Sequence, residues 1–156
     1  MSSITNDSEM RQAVDALAAP AQRVLAARFV ANVLSLSDDS RLQRVLDTAA
    51  RPDAGEDELA DAYRAAKAAA LEAHARCGAD GEWIDQAGYF VARAAEAAVA
   101  PQIRSYAKGP AWQAAMSARM ARTCLAGEAD EDTHDQESQA QYRILSEYLT
   151  EASNHD

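Results

Sequence analysis

EDELADAYRAAKAAALEAHARC, running from Glu56 to Cys77, is the stretch whose reading decides the fold. Alanine fills it, and alanine is the strongest helix former because it loses no side-chain entropy when the backbone winds up. Leu59, Tyr63, Ala66, Ala70 and Cys77 recur at helical spacing and define one apolar stripe. Carboxylates crowd the start, where the positive end of a helix dipole favours them. Asp53 and Glu56 stand at capping-box spacing just ahead. Gly78 follows where a left-handed cap would stop the helix. The stretch reads as one long helix.

The same grammar extends in both directions. Upstream, a first helix begins near Ser8 with Met10, Val14 and Leu17 on one side. Pro20 then kinks it or opens the next helix. That second helix runs to about Leu36 and is apolar on more than one side, with Leu25, Phe29, Val33 and Leu36 joined by Val24, Val30 and Leu34. Such a helix belongs at the centre of a bundle. Ser37 is placed to cap a third, with Leu42, Val45 and Leu46 inward, before Pro52. Downstream, Asp80 caps a fifth helix, where Ile84, Gly88, Val91, Ala95 and Ala98 line up as far as Pro101. A sixth follows Gly109 and Pro110, with Trp112, Met116, Met120 and Cys124 expected inward. A last helix, about Asp135 to Ala152, buries Tyr142, Leu145 and Leu149.

With 156 residues the chain has room for one sizeable core. Alanine supplies 38 positions, β-branched residues are sparse, and no segment alternates apolar and polar residues as a half-buried strand requires. The expectation is all-α: one compact antiparallel bundle of six or seven helices over residues 1–156, with 1–7 and 153–156 as loose tails. Tyr63 and Tyr89 open similar alanine-rich segments, but shared composition explains this without a structural repeat.

The net charge of −10 opposes nucleic-acid binding, which draws its affinity from Lys and Arg on phosphates. It opposes anionic membranes equally, and no apolar stretch is long enough to cross a bilayer. The first ten residues show neither a basic start nor an apolar run, so the expected compartment is the cytoplasm. Cys77 and Cys124 then read as reduced thiols, since neither belongs to a CxxC pair.

Chemistry is sparse. No phosphate-cradling glycine loop, nucleophile elbow or dinucleotide fingerprint is present. His74 borders the apolar stripe of the long helix, and His155 sits in the terminal tail. His134 completes a single Glu131-Asp132-Thr133-His134 motif, whereas carboxylate-bridged metal bundles need two such motifs and two more glutamates. The acidic run from Glu128 to Glu137 lacks the glycine and twelfth-position glutamate of a calcium loop. It reads either as a solvated loop whose Thr133 and Gln136 cap the last helix, or as a contact patch for a cationic partner. The patch would comprise Glu128, Asp130, Glu131, Asp132, Asp135 and Glu137. Arg119 and Trp83 are candidate interface anchors or core-edge side chains. No catalytic residue, metal ligand or cofactor is expected.

One family resemblance is visible. SDDSRLQRVLDTAARPDAGEDELADAYRAAKAAALEAHARC, Ser37 to Cys77, resembles the Imm-5-like group of bacterial immunity proteins. The shared pattern is an Asp-rich turn, a helix, a short polar turn, and an alanine-rich helix with a late histidine, here His74. QAGYFVARAAEAAVA and QAQYRILSEYL are looser echoes of later helices. The chain departs from the pattern at Thr48 to Arg51, where a tryptophan is missing, and at Tyr89, which replaces a histidine. The resemblance implies a binding protein that neutralises a toxin, with no catalytic residues to carry over.

The leading expectation is therefore a non-catalytic protein-binding module whose acidic surface covers a basic partner. Two alternatives stay open on the residues alone. One is a self-associating scaffold packed through Ala66, Ala69 and Ala70. The other is a metal- or ligand-binding helical enzyme.

Overall fold

The computed structural model describes residues 3–76, 83–101, 109–126 and 131–154. Among them lie seven α-helices and no strand: α1 (Asp7–Asp15), α2 (Ala19–Ala31), α3 (Arg41–Ala49), α4 (Glu56–Arg76), α5 (Trp83–Val99), α6 (Gly109–Ala126) and α7 (Glu131–Asn154). A single 3₁₀ turn, Leu34–Leu36, interrupts the link between α2 and α3. The all-α helical bundle expected from alanine content is the fold observed.

Helix ends follow local chemistry. Asn6 caps α1, its side-chain oxygen accepting from the Glu9 amide at 2.9 Å. Glu9 reaches back to the Thr5 amide at 2.9 Å. Pro20 sits in the first turn of α2, where its missing N–H is no loss. Two expected caps shift. Ser37 does not open α3; its hydroxyl accepts from the Asp39 amide, and Asp39 in turn receives the Arg41 amide at 3.0 Å. The capping-box partner of α4 is Gly55 rather than Asp53, because Glu58 reaches the Gly55 amide at 3.1 Å. The 3₁₀ turn ends α2 earlier than its apolar pattern suggests. Cys77, Gly78, Asp80 and Gly127 lie outside the described residues.

α2 holds the centre, packing against α3, α5, α6 and α7. Leu25, Ala26, Phe29, Val30 and Val33 are fully buried there. The most extensive helix pair is α5 with α6, followed by α4 with α5. Both contacts are made chiefly of methyl groups. Ala94, Ala95 and Ala98 of α5 are buried, as are Ala111, Ala114, Ala115 and Ala118 of α6. Small side chains let helix backbones approach closely, so the interior is thin and dense.

This geometry rotates α6 away from its expected orientation. Trp112 and Met116 are only partly buried, and Met120 is 48 % exposed. The alanine row takes the inward face instead. α4 keeps its expected stripe, with Leu59 and Tyr63 half-buried and Ala66 and Ala70 buried; with Ala69 also buried, these alanines are not a surface for self-association.

Described residues near both ends join the bundle. The Ile4 amide donates to Ser146 Oγ at 3.1 Å, Asp7 begins α1, and α7 continues to Asn154. At the start of α6, Gly109 adopts φ +72°, and a Cβ there would meet Gln22 Oε1 at 2.5 Å. Only glycine suits both demands.

Candidate functional site

The chemistry of the molecule divides into an inward set of charges and an outward set. The inward set lies where α6 and α7 meet the N-terminal helices. Arg119 is 5 % exposed on the inner face of α6. Its Nε donates to Gln141 Oε1 at 2.8 Å, and its two terminal nitrogens donate to the Asp7 carboxylate at 3.0 and 2.7 Å. Tyr142 Oη also donates to Asp7, at 2.7 Å. Burial, and then the hydrogen bond to the Asp7 carboxylate, holds the Tyr142 hydroxyl above its ordinary pKa. One helical turn along α6, Arg122 pairs with Glu137 at 3.3 Å, and Asn32 donates to both Glu137 oxygens at 3.1 and 3.2 Å.

Glu137 therefore does not belong with the exposed patch expected from the acidic run. Its side chain is 1 % exposed and is covered by Asn32 and Arg122 at the edge of the bundle. The physical reason is the helix start: α7 begins at Glu131, so the second half of the run is helical rather than looped. Helical periodicity then turns residue 137 inward while Asp135 remains exposed. Glu128 and Asp130 lie outside the described residues, as do the side chains of Glu131, Asp132, Thr133 and His134. Gln136 is exposed. The sequence placed Arg119 at a core edge or interface; the structure places it inside, bound to a carboxylate 112 positions away.

The outward set is acidic. Asp53, Glu56 and Asp57 are exposed around the start of α4 and form no ion pair among the described residues. With Arg51, Gly55 and Glu58 they border a shallow, open depression. A smaller hollow of about 180 Å³ lies between the 3₁₀ turn and α4–α5, lined in part by Ser35, Ser37, Asp38, Asp39, Arg76 and Asp85. A third space, about 850 Å³, opens where α2, α4 and α6 begin, against Gln22, Leu59, Val99 and Gly109. Gln22 Oε1 is buried there without a hydrogen-bond partner. Its Nε2 donates to the Val14 and Leu17 carbonyls.

His74 is exposed on α4, with its ring 5.4 Å from that of Tyr89. Among the described residues no group of three or more His, Cys, Asp or Glu side chains could hold a metal ion. Among the described residues no helix is long and apolar enough to cross a membrane. Cys124 is buried near the end of α6.

Asp39 is held between α3 and α4 by Arg41. A hydrogen bond from the Arg41 guanidinium, at 2.7 Å, holds its pKa below the ordinary aspartate range. Arg41 also pairs with Glu72, which ties the start of α3 to α4. A depressed folded-state pKa stabilises the fold above the unfolded value, near 3.8, and that contribution fades as pH falls through the lower folded value. Asp39→Asn is therefore expected to lose about 0.5 kcal/mol at neutral pH. The deficit should shrink below pH 4. Urea titrations at pH 7 and pH 3 measure the difference, and an equal deficit at both would contradict it.

No protein-family model, curated protein or solved structure matches this chain.

Proposed function

We propose that this protein is a non-catalytic binding protein that presents carboxylates to a cationic protein partner. The observation that carries the reading is the direction taken by its arginines. Arg28, Arg41, Arg51, Arg64, Arg93, Arg119 and Arg122 each pair with a carboxylate of the same chain. Arg23 donates to the carbonyls of Ala49, Arg51 and Pro52. These cations are matched by carboxylates or carbonyls of the same chain, and although Arg44, Lys67, Arg76 and Arg143 are also exposed, Asp53, Glu56, Asp57 and Asp135 face solvent as well. With a net charge of −10, the field around the molecule attracts a basic surface and repels an acidic one.

The resemblance to Imm-5-like immunity proteins gives that partner a character: a basic toxin whose working surface the carboxylates cover. The contact set is then Asp53, Glu56 and Asp57, with Asp135 and its acidic neighbours Glu128, Asp130, Glu131 and Asp132 as the second element. Glu137 is excluded by its burial.

Co-expression with the product of an adjacent toxin gene tests the proposal. The chain is expected to protect cells and to form a complex whose association slows with salt. Combined Asp53→Lys, Glu56→Lys and Asp57→Lys should slow association by roughly ten-fold or more. Failure to protect, or association indifferent to both salt and charge reversal, overturns the reading.

A further inference from the structure

One end of the bundle, where α2, α4 and α6 begin and α5 finishes, holds a cavity of about 850 Å³. Sites for small molecules run from about 300 to 1,000 Å³ and are mostly apolar, with a few placed polar groups. Here Leu59 and Ala60 of α4 and Ala98 and Val99 of α5 form an apolar wall. Two charged residues border the space. The Arg23 guanidinium is held by the carbonyls of Ala49, Arg51 and Pro52, and Glu56 is exposed.

Beside that wall stands one polar group whose orientation is fixed. Gln22 Nε2 donates to the Val14 and Leu17 carbonyls, at 3.1 and 3.3 Å. Only the nitrogen of an amide can serve two acceptors, so the oxygen is committed to the other side. Among the described residues Oε1 is the only buried side-chain oxygen or nitrogen without a hydrogen-bond partner. It is turned to Gly109, which borders the same cavity and where a Cβ would come within 2.5 Å of it. Glycine at 109 thus keeps the space beside the oxygen clear of a side chain. Buried acceptors are ordinarily satisfied, and an exception calls for a donor. A lone water would find few further polar partners against this wall.

We infer that this cavity binds a small neutral molecule with an apolar body and one N–H or O–H donor, the donor bonding to Gln22 Oε1. The body displaces loosely held water from Leu59, Ala98 and Val99, which favours binding. The single acceptor sets the orientation and selects against a molecule of the same shape that lacks the donor. An anion gains nothing from an acceptor oxygen, and a cation would give up its hydration for one carbonyl. Among the described residues the site shares only Glu56 with the proposed contact set, and it needs no protein partner.

Two probe pairs test the site on the full chain: indole with 1-methylindole, and phenol with anisole. Titration followed by amide NMR should show saturable binding of indole or phenol, with the Gln22 side-chain amide and Gly109 among the shifted signals. The methylated member of each pair keeps the ring, loses the donor and should bind roughly ten-fold more weakly. These pairs need no variant, so the donor requirement is read on the unaltered chain. Ala60→Leu adds bulk at an exposed position on the cavity wall. It should keep the helical circular dichroism while affinity for the donor probe falls by roughly ten-fold or more. Equal binding within each pair, binding unchanged by Ala60→Leu, or no binding of either donor probe overturns the inference.

Discussion

Arg122→Ala is expected to destabilise the protein by about 1.5–3 kcal/mol, the range for hydrogen bonds to charged groups, because Glu137 is buried while Arg122 keeps part of its surface in solvent. The variant leaves Glu137 buried with only the neutral Asn32 amide facing it. It also removes the donor to the Asn32 carbonyl, 3.1 Å away, at the end of α2. The loss is electrostatic more than steric, so a second change should reverse much of it. Glu137→Gln in the Arg122→Ala background removes the stranded charge and should recover at least about half of the deficit. Urea denaturation of the four chains gives the coupling directly. A single-variant loss below about 1 kcal/mol would show that the pair contributes little.

Phe29→Ala should cost about 3–5 kcal/mol, the range for emptying a fully buried aromatic site. Phe29 is completely buried on α2, which packs against α3, α5, α6 and α7. The helices packed around it are already in close contact on several sides, which limits how far they can close on the void. Chemical denaturation checks the value. A loss near 1 kcal/mol would mean that the helices collapse into the void.

How much of this was legible beforehand varies helix by helix. The buried face of α2 could be read correctly, though not its end, because Leu25, Phe29 and Val30 are large, and size leaves little doubt about what is buried. α6 could not. Its large residues, Trp112, Met116 and Met120, mark a plausible inward stripe, yet the closest packing with α5 is available only to methyl groups. Where alanine occurs on every side of a helix, the apolar pattern no longer selects one face, and shape decides. Arg119 escaped for a different reason. Hydropathy sends an arginine outward, and the groups that satisfy it, buried Gln141 and the half-exposed carboxylate of Asp7, lie on other helices. Nothing local announces that meeting. The acidic run failed halfway: treating Glu128 to Glu137 as one patch ignored helical periodicity, which separates exposed Asp135 from buried Glu137.

The methyl-lined contact between α5 and α6 has a calorimetric consequence. The heat capacity gained on unfolding comes mainly from exposing apolar surface, and each buried alanine withholds little of it. A bundle closed by Ala94, Ala95, Ala98, Ala111, Ala114, Ala115 and Ala118 therefore has a small increment for its length. Its free energy of unfolding bends gently with temperature, a broad arch that falls away slowly on the cold side as well as the hot.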